Sequence, residues 1–180
     1  AFESNNYLTP QTVTINALQD GDASDEFVTM SLSGASAPVA ATVSLSIVDD
    51  EIQSIILSTN SATIAEEATS TVDVSLQYAP SVDTTVTIAS SNTNVLAVGI
   101  NTLTVTPANW NLPQTVTFES FNDDDTQDTS AVLVFSSVSI NSDALLNVTV
   151  TDDDVQSVIV DTTSMSIFEI TSGIARVRLA

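Results

Sequence analysis

Asn147-Val148-Thr149-Val150-Thr151-Asp152-Asp153-Asp154 decides how this chain is read. The first five residues alternate apolar and polar, the pattern of a β-strand with one buried face. Three carboxylates follow, and aspartate is poorly tolerated in a strand, so the strand ends there. A new apolar run, residues 155–160, begins at once. A strand that stops in acid and restarts within a few residues marks a junction between two domains. The same element occurs earlier as Ser44-Leu45-Ser46-Ile47-Val48-Asp49-Asp50-Glu51, followed by Ile52-Gln53-Ser54-Ile55.

The two junctions are 103 residues apart, and so is much else. Pro10-Gln11-Thr12-Val13-Thr14 falls on Pro113-Gln114-Thr115-Val116-Thr117. Asp20, Asp22 and Asp25 fall on Asp123, Asp125 and Asp128, and Ile64 and Glu66 on Ile167 and Glu169. The ungapped overlap holds 23 identities in 77 positions, far above chance for this composition. The chain is therefore a tandem repeat of about 103 residues. Residues 1–53 are the back of one repeat, 54–156 a whole one, and 157–180 the front of a third. The chain reads as a processed or excised piece of something longer.

The whole repeat contains seven short alternating segments separated by turn residues. Strand A is expected at 54–57 with a continuation near 63–64, and B at 71–78. C is expected at 84–89, D at 102–106, E at 114–121, F at 131–137 and G at 145–151. No segment has a helical period. The expected fold is all-β, a seven-strand antiparallel sandwich of immunoglobulin type, repeated in tandem.

Apolar residues make up 43 % of the chain, enough for a buried core despite a formal charge of −21. Arg176 and Arg178 are the only cations against 23 acids. Such a chain repels nucleic acid and anionic membrane and attracts cations. No apolar run approaches the length of a membrane-spanning helix. There is no cysteine, so no disulfide argument about compartment applies.

In a seven-strand sandwich the AB, CD and EF loops share one end with the close of strand G. Sorted this way, that end receives Glu66, Glu67, Asp123, Asp124, Asp125, Asp128, Asp152, Asp153 and Asp154. The other end receives Asp83 and Asp143. Like charges about 4 Å apart repel by roughly 4 kcal/mol at an effective dielectric near 20, so the crowding calls for a counter-charge. A hard divalent cation fits, and Ca²⁺ takes six to eight oxygens. The plainer alternative is a set of solvated loops that keep an apolar, Thr-rich protein soluble.

These residues resemble a known family. "SATIAEE" (61–67), "NDDDTQD" (122–128) and "NVTVTDDD" (147–154) look like a Calx-β domain and its bacterial relatives. "LTVTPANWNLPQTVT" (103–117) looks like the variant found in large bacterial surface proteins. The resemblance implies calcium between the AB, CD and EF loops and the end of strand G. It implicates Glu66, Asp123, Asp124, Asp125, Asp128, Asp152, Asp153 and Asp154. Through the repeat it extends to Asp20, Asp22, Asp25, Asp49 and Asp50. Two departures stand out. The CD loop offers Asn92, Asn94 and Asn101 where the family often has an acid, and the EF loop lacks the usual Glu.

Trp110, the only Trp, reads as an aromatic plug at the corner between Pro107 and Pro113 rather than a sugar platform. Glu66 and Glu67, or the aspartates at 123–128, could be posed as a glycosidase pair, but no histidine or activated nucleophile accompanies them, so the chain is not expected to be an enzyme. The expected function is structural. The chain would be an extracellular, cell-surface stalk or filament whose repeats are stiffened by Ca²⁺ at each junction. The partners would be neighbouring repeats, with head-to-tail assembly by strand addition as a further option. An adhesin module for a glycan or surface is the alternative from another class.

Overall fold

The computed structural model describes residues 3–34 and 37–179. The chain divides into two compact units, Ala1–Ile52 and Gln53–Ala180. No helix occurs among the described residues, and none is long and apolar enough to cross a membrane.

The first unit is a single antiparallel hairpin, β1 (Glu26–Gly34) and β2 (Ala37–Ile47), with a bulge between Leu32 and Gly34. Residues 10–20 form no strand.

The second unit contains β3 (Ile55–Leu57), β4 (Ser61–Ala65), β5 (Thr69–Leu76), β6 (Thr84–Ser90), β7 (Leu96–Val98), β8 (Thr102–Val105), β9 (Gln114–Ser120), β10 (Thr129–Ser137) and β11 (Ile140–Thr151). A short pair, β12 (Val158–Val160) and β13 (Val177–Leu179), follows. One sheet runs β3-β5-β9-β7 and the other β4-β11-β10-β6-β8. Burial alternates along β6, β8 and β9, as a period of two requires when one face of each sheet is buried. The inner faces of both sheets share one core. Val72, Val74, Val116 and Phe118 from the first meet Val86, Leu133, Phe135 and Leu146 from the second. Each such side chain is worth about 1.5–3 kcal/mol when fully buried.

Seven strands were expected in this unit and nine are present between Ile55 and Thr151. The expected strand A is two strands in different sheets. The Ser58 amide still donates to the Asp73 carbonyl of the first sheet (2.9 Å), while the Asn60 carbonyl accepts from the Asn147 amide of the second (3.0 Å). The crossing falls in Ser58-Thr59-Asn60-Ser61, residues suited to turns. There the Thr59 hydroxyl donates to the Ser61 carbonyl (2.8 Å). The second extra strand is β7. Its Leu96 is fully buried and pairs with Ser120, so three residues inside a polar loop become a sheet edge.

The 103-residue period recurs in the backbone. Glu26 pairs with Ile47 as Thr129 pairs with Val150, and the bulge recurs between Phe135 and Ser137. Val158 pairs with Leu179 as Ile55 pairs with Leu76. Among the described residues, two non-glycine residues have positive φ, Glu67 (53°) and Ile170 (62°), and they are also 103 apart. A β-branched residue rarely adopts that conformation, so its recurrence at this position reflects the turn and not the side chain.

Candidate metal centre

The site in the second unit is assembled by backbone bonds that bring three loop ends together. Ser120, at the end of β9, is buried. Its hydroxyl donates to the Ala65 carbonyl (2.7 Å) and accepts from the Ala68 amide (3.2 Å). The Glu66 amide donates to the Thr151 carbonyl at the end of β11 (3.2 Å), and the Thr151 hydroxyl donates to the Ile64 carbonyl (3.3 Å). The turn at 65–68 is thus tied to the ends of β9 and β11. Asp128 closes the third side, its Oδ1 accepting the Asp152 amide (3.0 Å). The EF loop and the acidic close of strand G therefore meet, as the strand parity predicts.

Within this frame Glu66, Asp123 and Asp152 each present a carboxylate oxygen, all within 4.8 Å of one another. Glu66 is only 6 % exposed. Its Oε2 and the Oδ2 of Asp152 are buried with no hydrogen-bond partner. Oxygens bound to one Ca²⁺ at about 2.3–2.6 Å lie no more than about 4.6–5.2 Å apart, so the spacing fits a shared ion. A buried oxygen without a partner is costly, and a cation is a way to satisfy it.

Burial pushes the Glu66 carboxyl above its usual range; the Asp123 backbone N–H opposes this, and repulsion from Asp123, Asp152 and Asp153 adds to it. Asp152 is raised likewise, first by burial, against the Asp154 backbone N–H, with repulsion from Asp154, Asp123 and Asp125. A carboxyl raised in the folded state binds its proton more tightly there than in the unfolded chain. Its contribution is present below the ordinary carboxylate range near 4 and is lost as pH rises through the raised value. In EDTA the melting temperature is therefore expected to climb as pH falls from 7 towards about 5, the reverse of ordinary acid denaturation. With a bound cation the carboxylates are held ionised, and the trend should flatten or invert. Melting curves against pH, with EDTA and with CaCl₂, check both signs.

The other expected ligands do not join the three. Asp125 Oδ1 accepts the Gln127 amide (2.8 Å). Asp123 Oδ1 accepts from Asp125 (2.9 Å) and Asp152 Oδ1 from Asp154 (2.9 Å). These are turns closed two residues on by aspartate itself. In a run of acids they aim one carboxylate inward and leave the next outside. Asp124 and Asp154 line a separate shallow pocket with Thr126, Val155 and Gln156. Asp153 lies exposed, as does Asp128. The CD loop is held against β9, where the Phe121 amide donates to the Val95 carbonyl (3.1 Å). Asn92 spends its side-chain oxygen on the Asn94 amide (3.1 Å).

The first unit repeats the aspartate turns but gathers a different set of acids. Asp25 Oδ1 accepts the Asp49 amide (2.9 Å), Asp20 Oδ1 the Asp22 amide (3.3 Å) and Asp49 Oδ1 the Glu51 amide (2.6 Å). Asp20, Asp22, Glu26 and Asp49 form a group within 4.8 Å. The Asp22 Oδ1 is buried without a partner. Asp25 acts as the clamp, and Asp50, with Glu51, takes a hydrogen bond from the Gln19 side chain. Glu26 is the residue that sequence reasoning missed. It stands where the second unit has Thr129, and the repeat alignment alone could have singled out the substitution. Burial raises its carboxyl, with Asp20, Asp22, Asp49 and Asp25 adding repulsion.

Trp110 is half-buried and packs on the core. Its carbonyl accepts the Leu76 amide (2.9 Å), so it closes the corner as a plug.

No family model matches the chain, and no curated protein matches it. Solved structures do. Domains 4 and 5 of the S-layer protein SbsC align at a TM-score of 0.40 and 16 % identity, over 62 % of this chain and 59 % of that one. The chain thus spans about three-fifths of the length of that structure. SbsC domains 1–6 align at 0.43 and 13 %, over 88 % of this chain and 25 % of that one. WR4, a C. elegans MSP family member, aligns at 0.38 and 11 %, over 55 % and 97 %. The likeness to Calx-β domains gains no support from these matches.

Proposed function

We propose that this chain is part of an extracellular, tandem-repeat structural protein whose acidic repeat ends hold Ca²⁺. The observation that carries this reading is the group Glu66, Asp123 and Asp152, within 4.8 Å of one another, with two buried oxygens lacking partners. The chain contains no Lys or His, and both of its arginines lie at 176 and 178, so a mobile cation is the available counter-charge. Asp152-Asp153-Asp154 leads straight into the strand that opens the next repeat. An ion held there replaces repulsion with bridging and stiffens the link between repeats. The reading makes the chain a stalk or filament segment and not an enzyme, with neighbouring repeats as partners and no nucleic acid or membrane insertion.

Calorimetric titration of the metal-free chain with CaCl₂ tests it. Extracellular modules bind Ca²⁺ at about 10⁻⁴–10⁻³ M, and saturation in that range is expected. Absence of binding at 10 mM would overturn the proposal.

A further inference from the structure

Residues 48–54 join β2 to β3, and 152–157 join β11 to β12. Left free, a run of that length is a flexible tether. In the complete second unit, hydrogen bonds hold both the run that enters it and the run that leaves it.

At the entry, the β3–β5 ladder, with Ile55 opposite Leu76, continues beyond the strand. The Gln77 amide donates to the Ser54 carbonyl (3.0 Å), and the Ser54 hydroxyl donates to Gln77 Oε1 (2.6 Å). The next rung is made by a side chain. Gln53 Nε2 donates to the Tyr78 carbonyl (2.9 Å), and Gln53 Oε1 accepts the Tyr78 amide (3.2 Å). A primary amide carries a donor and an acceptor side by side, so it replaces a peptide unit there. The same Oε1 accepts the Ser54 amide (3.1 Å), which ties the side chain to its own backbone. At the exit, Asp128 Oδ1 accepts the Asp152 amide and Asp152 Oδ1 accepts the Asp154 amide. The chain is therefore held through Asp154 on leaving and from Gln53 on entering.

The period of 103 brings the two ends together. Asp154 is the counterpart of Glu51, Val155 of Ile52, and Gln156 of Gln53. The held exit stops at 154, or 51, and the held entry begins at 156, or 53. One residue remains at each junction. Neither Ile52 nor Val155 makes a hydrogen bond among the described residues. Each contributes only two soft backbone dihedrals, φ and ψ. Both are β-branched, which favours extended backbone.

We propose that consecutive repeats are joined by a hinge of a single β-branched residue, Ile52 or Val155, and that Gln53 is the positioning residue that ends the hinge on its entry side. The holding bonds run from backbone amides to aspartates and between one side-chain amide and one peptide. The hinge therefore does not rest on the cation reading, and a failure of calcium to bind leaves it in place.

Nuclear magnetic resonance relaxation and amide hydrogen exchange on the full chain in EDTA test it. Backbone order parameters below about 0.6 are expected at Ile52 and Val155, with about 0.85 from Gln53 onward and up to Asp154. Gln53→Met keeps the length of the side chain and removes its amide. It should speed exchange at the Tyr78 amide by about tenfold or more and extend the low order parameters to Ser54. Asp128→Ala should do the same for the Asp152 amide. Unchanged exchange at Phe118 and Leu133 shows that the second unit remains folded. Order parameters as low at Gln53 or Asp154 as at Ile52 overturn the single-residue hinge. A Tyr78 amide that stays protected in Gln53→Met overturns the role of Gln53. The profile should be the same in CaCl₂; an Asp154 that becomes rigid only with calcium overturns the metal-independent exit.

Discussion

Replacing Phe135 with alanine is expected to lower the stability of the second unit by about 3–5 kcal/mol, while Leu32→Ala in the first stays within about 0.5 kcal/mol. The two residues occupy the same position of the repeat, 103 apart. Phe135 is fully buried, so its removal loses the transfer free energy of a ring and leaves a cavity that β-sheets cannot close. Leu32 is 43 % exposed on an open face, and its truncation creates no cavity. Domains of this size are stable by about 5–15 kcal/mol, so the first change consumes a large share. At about 4–8 °C per kcal/mol it corresponds to a fall of about 12–40 °C in melting temperature. Trp110 is the only Trp and packs on the core, so its fluorescence reports unfolding of the second unit alone. Denaturant titration followed at Trp110 for Phe135→Ala, and by far-ultraviolet circular dichroism for Leu32→Ala, separates the outcomes. Leu32→Ala should leave the circular-dichroism midpoint unchanged. A circular-dichroism midpoint shifted as far as that of Phe135→Ala would mean the two faces are equally covered.

Saturating calcium is expected to raise melting by about 10 °C, and Glu66→Gln to remove the rise while making the metal-free protein more stable. A ligand that binds only the folded state stabilises by RT ln(1 + [L]/Kd). At 10 mM Ca²⁺ and a Kd of about 10⁻⁴–10⁻³ M, this is about 1.4–2.7 kcal/mol, and each kcal/mol moves melting by about 4–8 °C in a domain of this size. The opposite signs are the diagnostic feature. Without metal, the Glu66 carboxylate is held above its usual pKa by burial and by Asp123, Asp152 and Asp153, so a neutral amide relieves the fold. With metal, the same substitution deletes a ligand. Scanning calorimetry of both proteins in EDTA and in CaCl₂ gives four melting points. If Glu66→Gln lowers the metal-free value and leaves the calcium response intact, Glu66 is a structural carboxylate and no ligand.

The all-β character and most strands were legible in the alternation of Val, Ile, Leu and Phe with Thr and Ser. Predicted and observed limits agree for β6 and β8 to within one residue. The split of the first strand was not legible, because 54–64 alternates continuously and only tertiary pairing assigns Ile55 and Ile64 to different sheets. β7 was hidden because a three-residue strand carries too little periodicity to register. The acidic end was legible from strand parity. Which acids converge was not, since that depends on which aspartates close turns onto their own backbone. Asp123 and Asp152 do so and still reach Glu66, whereas Asp125 is spent locally. Glu26 was not legible because it opens a strand, and strand parity sorts only the acids of loops and strand ends.

The parallel pairing of β4 with β11 has a mechanical consequence. These strands lie near the two ends of the second unit's sandwich, and five residue pairs, from Asn147 with Ser61 to Thr151 with Ala65, join them side by side. Tension applied between its ends pulls parallel neighbours in opposite directions along their length. The rungs between them are then loaded together and cannot peel one at a time. A bead fastened in this way yields only when the whole clasp gives.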